Sequence, residues 1–318
     1  MRAVQVTTLD GPSAVQVTDV PEPDANGKVL VDVHVAGVNY PDVLMSRGEY
    51  QMKPDLPFVP GSEIAGTVIA GDGFAKGQRV AGFSVLGGYA ERAAVDPSVL
   101  FPLPDRVSFE AGAALLMNYL TVDFALVRRG QLVKGETVLV QGAAGGIGVA
   151  TIQLAKVMGA RVIAVVSTDE KADVARKAGA DEVVLADGFL AQVKELTGGR
   201  GADLVVDPVG GDRFTDSLRS LAPEGRLLVI GFTGGSIPEV KVNRLLLNNV
   251  SVVGVGWGAF WMRDPSYLQE QWARLLPYLE DGRLDPLVGN SYPLEQAADA
   301  LLELDERRAL AKVLLTTR

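Results

Sequence analysis

VLVQGAAGGIGVATIQLA, residues Val138 to Ala155, starts as a short apolar run, breaks into small residues and resumes with apolar side chains at helical spacing. The apolar run reads as a strand over Thr137 to Val140, the small residues as a turn over Gly142 to Gly148, and Val149, Ile152, Ala155 and Lys156 as the opening of a helix. A dinucleotide pyrophosphate needs backbone N–H groups at a helix N-terminus and no side chains in the way. Gly145, Gly146, Ile147 and Gly148 are the candidates for that cradle. Ala143 stands where the first Gly of a strict GxGxxG would fall, so the turn alone is weak and its surroundings must carry the reading.

Those surroundings are periodic. From about Val122 the chain repeats apolar strand, turn and amphipathic helix: TVLVQG, VATIQLAKVMG, RVIAVVS, EKADVARKAG, DEVVLA, FLAQVKELTG, ADLVVDPVG, FTDSLRSLA, GRLLVIGF and VSVVGVGW. Six such strands separated by helices predict an α/β fold with a Rossmann-type, doubly wound parallel six-stranded sheet. The residues before it are strand-like: in KVLVDVHVAGV, Val29, Val31, Val33 and Val35 alternate against Leu30, Asp32, His34 and Ala36, and EIAGTVIAG and QRVAGF follow between Gly and Pro. After Trp257 come two helical patterns, PSYLQEQWARLLPYLEDG and LEQAADALLELDERRA, and a last strand, AKVLLTT. No internal repeat or low-complexity tract interrupts the chain.

Composition removes several function classes. The chain has 318 residues, 47% of them apolar, enough for a large core in one long domain or two of ordinary size. With no cysteine, disulfides, thiolate metal ligands and a cysteine nucleophile are excluded. A formal charge of −9 gives no electrostatic reason to bind nucleic acid. Neither a signal-peptide pattern nor a run of eighteen apolar residues is present, so the expectation is a soluble cytoplasmic protein with no membrane partner.

The end of the second strand discriminates between dinucleotides. NAD sites place a carboxylate about 20 residues past the glycine turn, where it accepts from the ribose 2′-hydroxyl. Here RVIAVVSTDEK ends in Val166 and Ser167, with Lys171 following, a pair that suits a 2′-phosphate and favours NADPH over NADH. The alternative is that Thr168 or Asp169 merely caps the next helix and Lys171 is solvated.

A wider pattern joins these segments. Taken together, AGVNYPDVLMSRGEY, PFVPGSEIAGTV, GGYAERAAV, GAALLMNYLTVDFAL, the glycine turn, DLVVDPVGG and NNVSVVGVGWGAF resemble the zinc-free NADPH:quinone oxidoreductases related to zeta-crystallin, within the medium-chain dehydrogenase/reductase superfamily. The resemblance runs over essentially the whole chain. It implies a GroES-like, β-rich catalytic domain built from residues 1–122 and 261–318, with the Rossmann dinucleotide-binding domain over 123–260. Zinc alcohol dehydrogenases of the same superfamily have Cys and His at the turn that here reads VNYPDV, and a His in the GHE that here reads GSE. Asn39, Tyr40 and Ser62 stand in those places, and Glu63 and Asp42 without Cys or His make a poor zinc site, so no metal is expected. The single histidine, His34, is expected to point outward into solvent.

Without a metal to hold an alkoxide, the feasible acceptor is one that is already electrophilic. A quinone or a conjugated carbonyl can take hydride from nicotinamide C4 directly, leaving the protein to position the rings, exclude water and donate to the developing oxyanion. The expected function is NADPH-dependent quinone reduction in an interdomain cleft; the alternatives are C=C reduction of an enoyl thioester or 2-alkenal, and non-catalytic NADPH binding. From the resemblance, Asn39, Tyr40 and Tyr50 are the candidate donors, although Tyr50 could simply pack at the cleft rim. Asn118 and Thr121 match the segment that approaches the nicotinamide carboxamide, and Lys312 matches a cofactor-side lysine, with Ala311 replacing the usual preceding Gly. Pro208, Val209 and Gly210, then Gly231, Phe232 and Thr233, follow the fourth and fifth strands at carboxyl ends where open sheets bind ligands. Trp257, after the sixth strand, is either a substrate-pocket wall for a flat acceptor or an ordinary packing residue. In relatives the sixth-strand edge pairs with its copy, which implies a homodimer.

Overall fold

Alternation along residues 29–37 turns directly into burial. In the computed structural model, which describes residues 1–317, Val29, Val31, Val33 and Val35 are at most 3% exposed while Leu30, Asp32 and His34 are partly exposed. The strands are β1 (Arg2–Gln5), β2 (Gln16–Asp19), β3 (Val29–Gly37), β4 (Glu63–Ala70), β5 (Arg79–Phe83), β6 (Arg92–Val95), β7 (Leu100–Pro102), β8 (Thr137–Val140), β9 (Arg161–Val166), β10 (Glu182–Leu185), β11 (Ala202–Asp207), β12 (Leu221–Val229), β13 (Ser251–Gly254), β14 (Val288–Pro293) and β15 (Lys312–Thr316). They fall into two compact units, Met1–Met117 with Pro265–Arg318, and Asn118–Asp264.

The first unit holds a seven-stranded sheet, ordered β14-β15-β3-β4-β5-β7 with β6 paired to β3, and a small β1-β2 pair. β15 runs antiparallel to β3 and pairs Leu314 with Gly37, Leu315 with Ala36 and Thr316 with Val35. Val35, Ala65, Ala113 and Leu314 close a core there, with Phe109 and Val288 packed against it. His34 departs from the solvated position expected of it: its ring lies 4.3 Å from that of Phe109. Alternation sets the direction of a strand side chain, but an adjacent helix can still cover it.

The second unit is a parallel sheet in the order β10-β9-β8-β11-β12-β13. Its six strands coincide with the six apolar runs of the sequence, and the order reverses between β8 and β11, which is where doubly wound sheets bind ligands. Its core includes Leu139, Ile163, Val165, Val205, Phe214 and Leu227, all from strands or their covering helices. The helical segment Phe109–Arg129 is long and apolar enough to cross a bilayer, yet 83% of its most apolar window is buried inside the protein, as in a core helix.

One ion pair anchors the amino ends of the parallel strands. Arg226 Nη1 donates to Glu136 Oε1 at 2.6 Å and to the Asp203 carbonyl at 3.2 Å, while its Nε reaches the Gly130 carbonyl at 2.8 Å. Both side chains are less than one-fifth exposed, so removing the guanidinium strands a buried carboxylate and several carbonyls. Arg226→Met is expected to lower unfolding stability by about 3 kcal/mol in urea titrations.

Candidate active site

In the second unit the glycine turn is built by division of labour among its glycines. Gly142 takes a left-handed φ of +59° and ends β8 against Val209. A Cβ on Gly148 would lie 2.4 Å from the Gly142 carbonyl oxygen and 2.5 Å from Ala143 Cα, so this glycine exists for close strand-to-helix packing. A Cβ on Gly146 would meet Asn118 Nδ2 at 2.5 Å, which places the Asn118 side chain over the first turn of the helix Gly146–Val157. Gly145, the N-cap, has only the Gly142 carbonyl at 3.6 Å nearby. A side chain there would enter open space in front of the helix N-terminus, so that space is kept clear for something other than the protein.

Neighbouring loops complete this cradle. The Thr233 amide and hydroxyl both donate to the Pro208 carbonyl at 3.1 Å, and the Gly234 amide donates to the Val209 carbonyl at 2.7 Å. The loop 208–210 is itself held by Asp207, whose Oδ1 accepts from the Val209 and Gly210 amides at 2.8 and 2.9 Å. Asn118, Gly145, Gly146, Ile147, Gly148, Val209, Gly231, Phe232 and Thr233 thus belong to one unit, and contacts link the glycine turn to Asn118 and Val209 and the two loops to each other. Asn118 and Thr121, both buried, lie where the helix widens, Leu116–Leu120 being a π-helical turn, a distortion that recurs at functional sites. The Tyr119 hydroxyl fixes that turn by donating to Gln153 Oε1 at 2.7 Å.

At the carboxyl end of β9, Thr168 caps the next helix by accepting from the Lys171 amide at 3.3 Å, and Ser167 and Lys171 lie at the surface side of the turn. Burial, then the charge of Arg213, lower the Lys171 ammonium pKa. Arg213 escapes a sequence reading because it lies 42 positions beyond Lys171, in the short turn Gly211–Arg213 after β11, and only the fold brings the two cations together. Trp257 is 4% exposed and tilted against Trp261 at 5.8 Å, so it packs within its own unit rather than presenting a free face.

In the first unit, α1 (Tyr40–Ser46) begins at the N-cap Asn39 and is closed by a capping box with Asp42. The Asn39 amide donates to Asp42 Oδ2 at 2.9 Å, and the Tyr89 hydroxyl donates to the same oxygen at 2.7 Å. Asn39 Nδ2 donates to Glu63 Oε1 at 3.1 Å, the Gly37 carbonyl at 3.2 Å and Ser62 Oγ at 3.4 Å. Lys312 Nζ donates to Asn39 Oδ1 at 2.6 Å and to Glu63 Oε1, and the Met117 amide donates to Glu63 Oε2 at 2.8 Å. Two expected roles change on this geometry. The Asn39 side chain is used up within the unit and has no donor left for a substrate, and Lys312, 3% exposed, holds Asn39 and Glu63 rather than standing as a cofactor-side lysine. Tyr40 and Tyr50 remain partly exposed, and among the described residues their phenols make no hydrogen bond. Burial, then the Asp42 charge, raise the Tyr50 pKa and keep it a donor.

Burial raises the Asp42 carboxyl to about 6, against the pull of Tyr89, the Asn39 amide and Lys312. Asp42, Glu63 and Tyr89 give no signal in the sequence as parts of one network, because the separations among them, up to the 47 residues between Asp42 and Tyr89, close only in the folded sheet.

Comparison with known proteins agrees with this architecture. Residues 25–105 match the family model described as alcohol dehydrogenase GroES-like domain, and residues 146–280 match that of zinc-binding dehydrogenase. Quinone oxidoreductase-like protein 2 of Rattus norvegicus is 41% identical over 324 aligned residues, covering 100% of this chain and 92% of the rat protein. The chain belongs to the quinone oxidoreductase family of the medium-chain dehydrogenase/reductases. Within that family, the solved quinone oxidoreductase of Thermus thermophilus, also known as its NADPH complex, superposes with a TM-score of 0.88 at 36% identity, covering 99% of this chain and 100% of that one. A probable oxidoreductase from Mycobacterium abscessus gives 0.91 at 46% identity, covering 99% and 98%. Although one matched model is named for zinc, among the described residues no cluster of three or more His, Cys, Asp or Glu is placed to hold a metal.

Two measurements check the site as built. Gly148→Ala is expected to cost about 2 kcal/mol of stability through its backbone collision, whereas Gly145→Ala leaves the urea midpoint unchanged. The folded protein also binds the Asp42 proton more tightly than the unfolded chain does, so Asp42 destabilises progressively as pH rises from about 4 through 6. Relative to Asp42→Asn, wild-type stability should fall by roughly 2 to 3 kcal/mol over that range.

Proposed function

We propose that the protein is an NADPH-dependent, zinc-independent quinone reductase. The observation that carries the metal-free part is the Lys312 ammonium, which already occupies Asn39 Oδ1, in the turn where zinc relatives have their ligands, and Glu63 Oε1, next to Ser62 at the other ligand position. A divalent cation would have to displace a buried monovalent one and make do without Cys or His.

For the cofactor, the clear space before Gly145 and the amides of the helix Gly146–Val157 suit the pyrophosphate, and Ser167, Lys171 and Arg213 suit the 2′-phosphate. When bound, NADPH supplies a hydride from nicotinamide C4. The protein's part is to hold the quinone and stabilise the oxyanion that forms on its carbonyl oxygen. Tyr40 and Tyr50 are the donors for that oxyanion, since among the described residues neither hydroxyl has a hydrogen-bond partner, and burial with the Asp42 charge raises the Tyr50 pKa. β13 is the open edge of the parallel sheet, and Val242, Leu246 and Leu247 beside it are each more than 70% exposed. We read this edge as the homodimer surface.

Menadione or 1,2-naphthoquinone should oxidise NADPH with saturation kinetics in the presence of the protein; a flat trace with quinones together with turnover of crotonyl-CoA would replace this reading with C=C reduction. Lys171→Ala and Arg213→Ala should each weaken NADPH about tenfold while leaving NADH unchanged, and Gly145→Ala should weaken both dinucleotides. In sedimentation, Leu246→Glu with Leu247→Glu should convert a dimer to a monomer; a wild-type monomer would remove the dimer from the proposal.

A further inference from the structure

Lys312 and Glu63 form an ion pair with side chains 3% and 0% exposed. Such a pair is a weak stabiliser, because apolar side chains of similar volume do as well or better. Orientation is what apolar side chains could not supply. By donating to Asn39 Oδ1 at 2.6 Å, Lys312 fixes which end of the amide faces it, and Nδ2 is thereby turned onto Glu63, Gly37 and Ser62. Asn39 is the N-cap of α1, and the Asp42 oxygen that closes its capping box also accepts from the Tyr89 hydroxyl. Tyr40 is the first residue of that helix and lies between the two anchors.

We propose that Lys312 is a positioning residue of the reductase, locking the first turn of α1 through Asn39 and Glu63 so that Tyr40 presents its hydroxyl in one orientation. This rests on the reading of Tyr40 as an oxyanion donor. The same lysine ties that turn to pH. The Asp42 carboxylate is faced by the Tyr89 hydroxyl, the Asn39 and Gly61 amides and the Lys312 charge, and its own charge reaches Tyr50. Protonation of Asp42 weakens its acceptance of the Asn39 amide and loosens the cap, so turnover falls on the acid side of about 6. Loss of the Lys312 charge moves that limb upward.

The test compares Lys312→Met, Lys312→Arg and the neutral double variant Lys312→Met with Glu63→Gln, which strands no buried charge. Lys312→Met is expected to lower kcat with menadione about 100-fold, the cost of a misplaced donor, with KM for NADPH within twofold of wild type. The double variant should recover the wild-type urea midpoint without recovering kcat, and Lys312→Arg should recover part of kcat. Recovery of both midpoint and kcat in the double variant would reduce the pair to a structural one and overturn the proposal. An infrared titration needs no turnover: the carboxylic-acid band absent from Asp42→Asn should titrate higher in Lys312→Met than in wild type, and an unmoved midpoint also overturns it. A wild-type protein that turns over no quinone would sink the functional reading, and the infrared titration would still decide the role of Lys312 in the cap.

Discussion

The pairing of β15 with β3 is the constraint on which the catalytic unit depends. It brings residues 312–316 beside residues 35–37, and with them the Lys312 ammonium onto the Asn39 and Glu63 side chains at the ends of β3 and β4. A strand pairing between chain segments more than 270 residues apart is entropically expensive to nucleate, yet it adds little further cost with loop length, which grows only logarithmically. The ion pair then determines register locally: a slip of one residue in β15 would turn Lys312 to the opposite face and leave Glu63 buried without its partner.

The cofactor unit obeys a different logic. Its parallel strands connect through local helices, and its ligand site is mostly backbone, made by glycines whose missing side chains do two separate things. Gly148 permits the helix to touch the strand, and Gly145 keeps the space before the helix empty. A motif written only as spacing cannot tell these two duties apart: Ala143, in place of the first glycine, is fully buried within the turn, and its Cα is part of the surface that Gly148 packs against.

What is legible in the sequence follows from periodicity and from missing residue types. Period-two valines mark β3, the alternation of apolar runs and amphipathic segments marks the six-stranded sheet, and the absence of Cys and His at VNYPDV and GSE points away from a zinc chemistry. What escapes depends on pairing across long separations. Asn39 enters as a substrate donor through the family resemblance, while its side-chain partners include Glu63 of β4 and Lys312 of β15, which only the folded sheet brings to it. Arg213 carries no local sign of a role, and Trp257 admits a reading as a wall, until neighbouring elements meet them.

The split of the catalytic unit has a consequence for the order in which the molecule is made. On a ribosome the contiguous residues 118–264 can finish folding as a unit while the sheet that began with β3 still lacks β15. Until residues 312–316 emerge, the Val35–Gly37 edge of β3 has its hydrogen-bonding groups open, and Glu63 lacks the Lys312 counter-charge. The nascent protein can therefore pass through a stage in which the unit 118–264 is complete and the other is not, and closure of the second waits on residues 312–316.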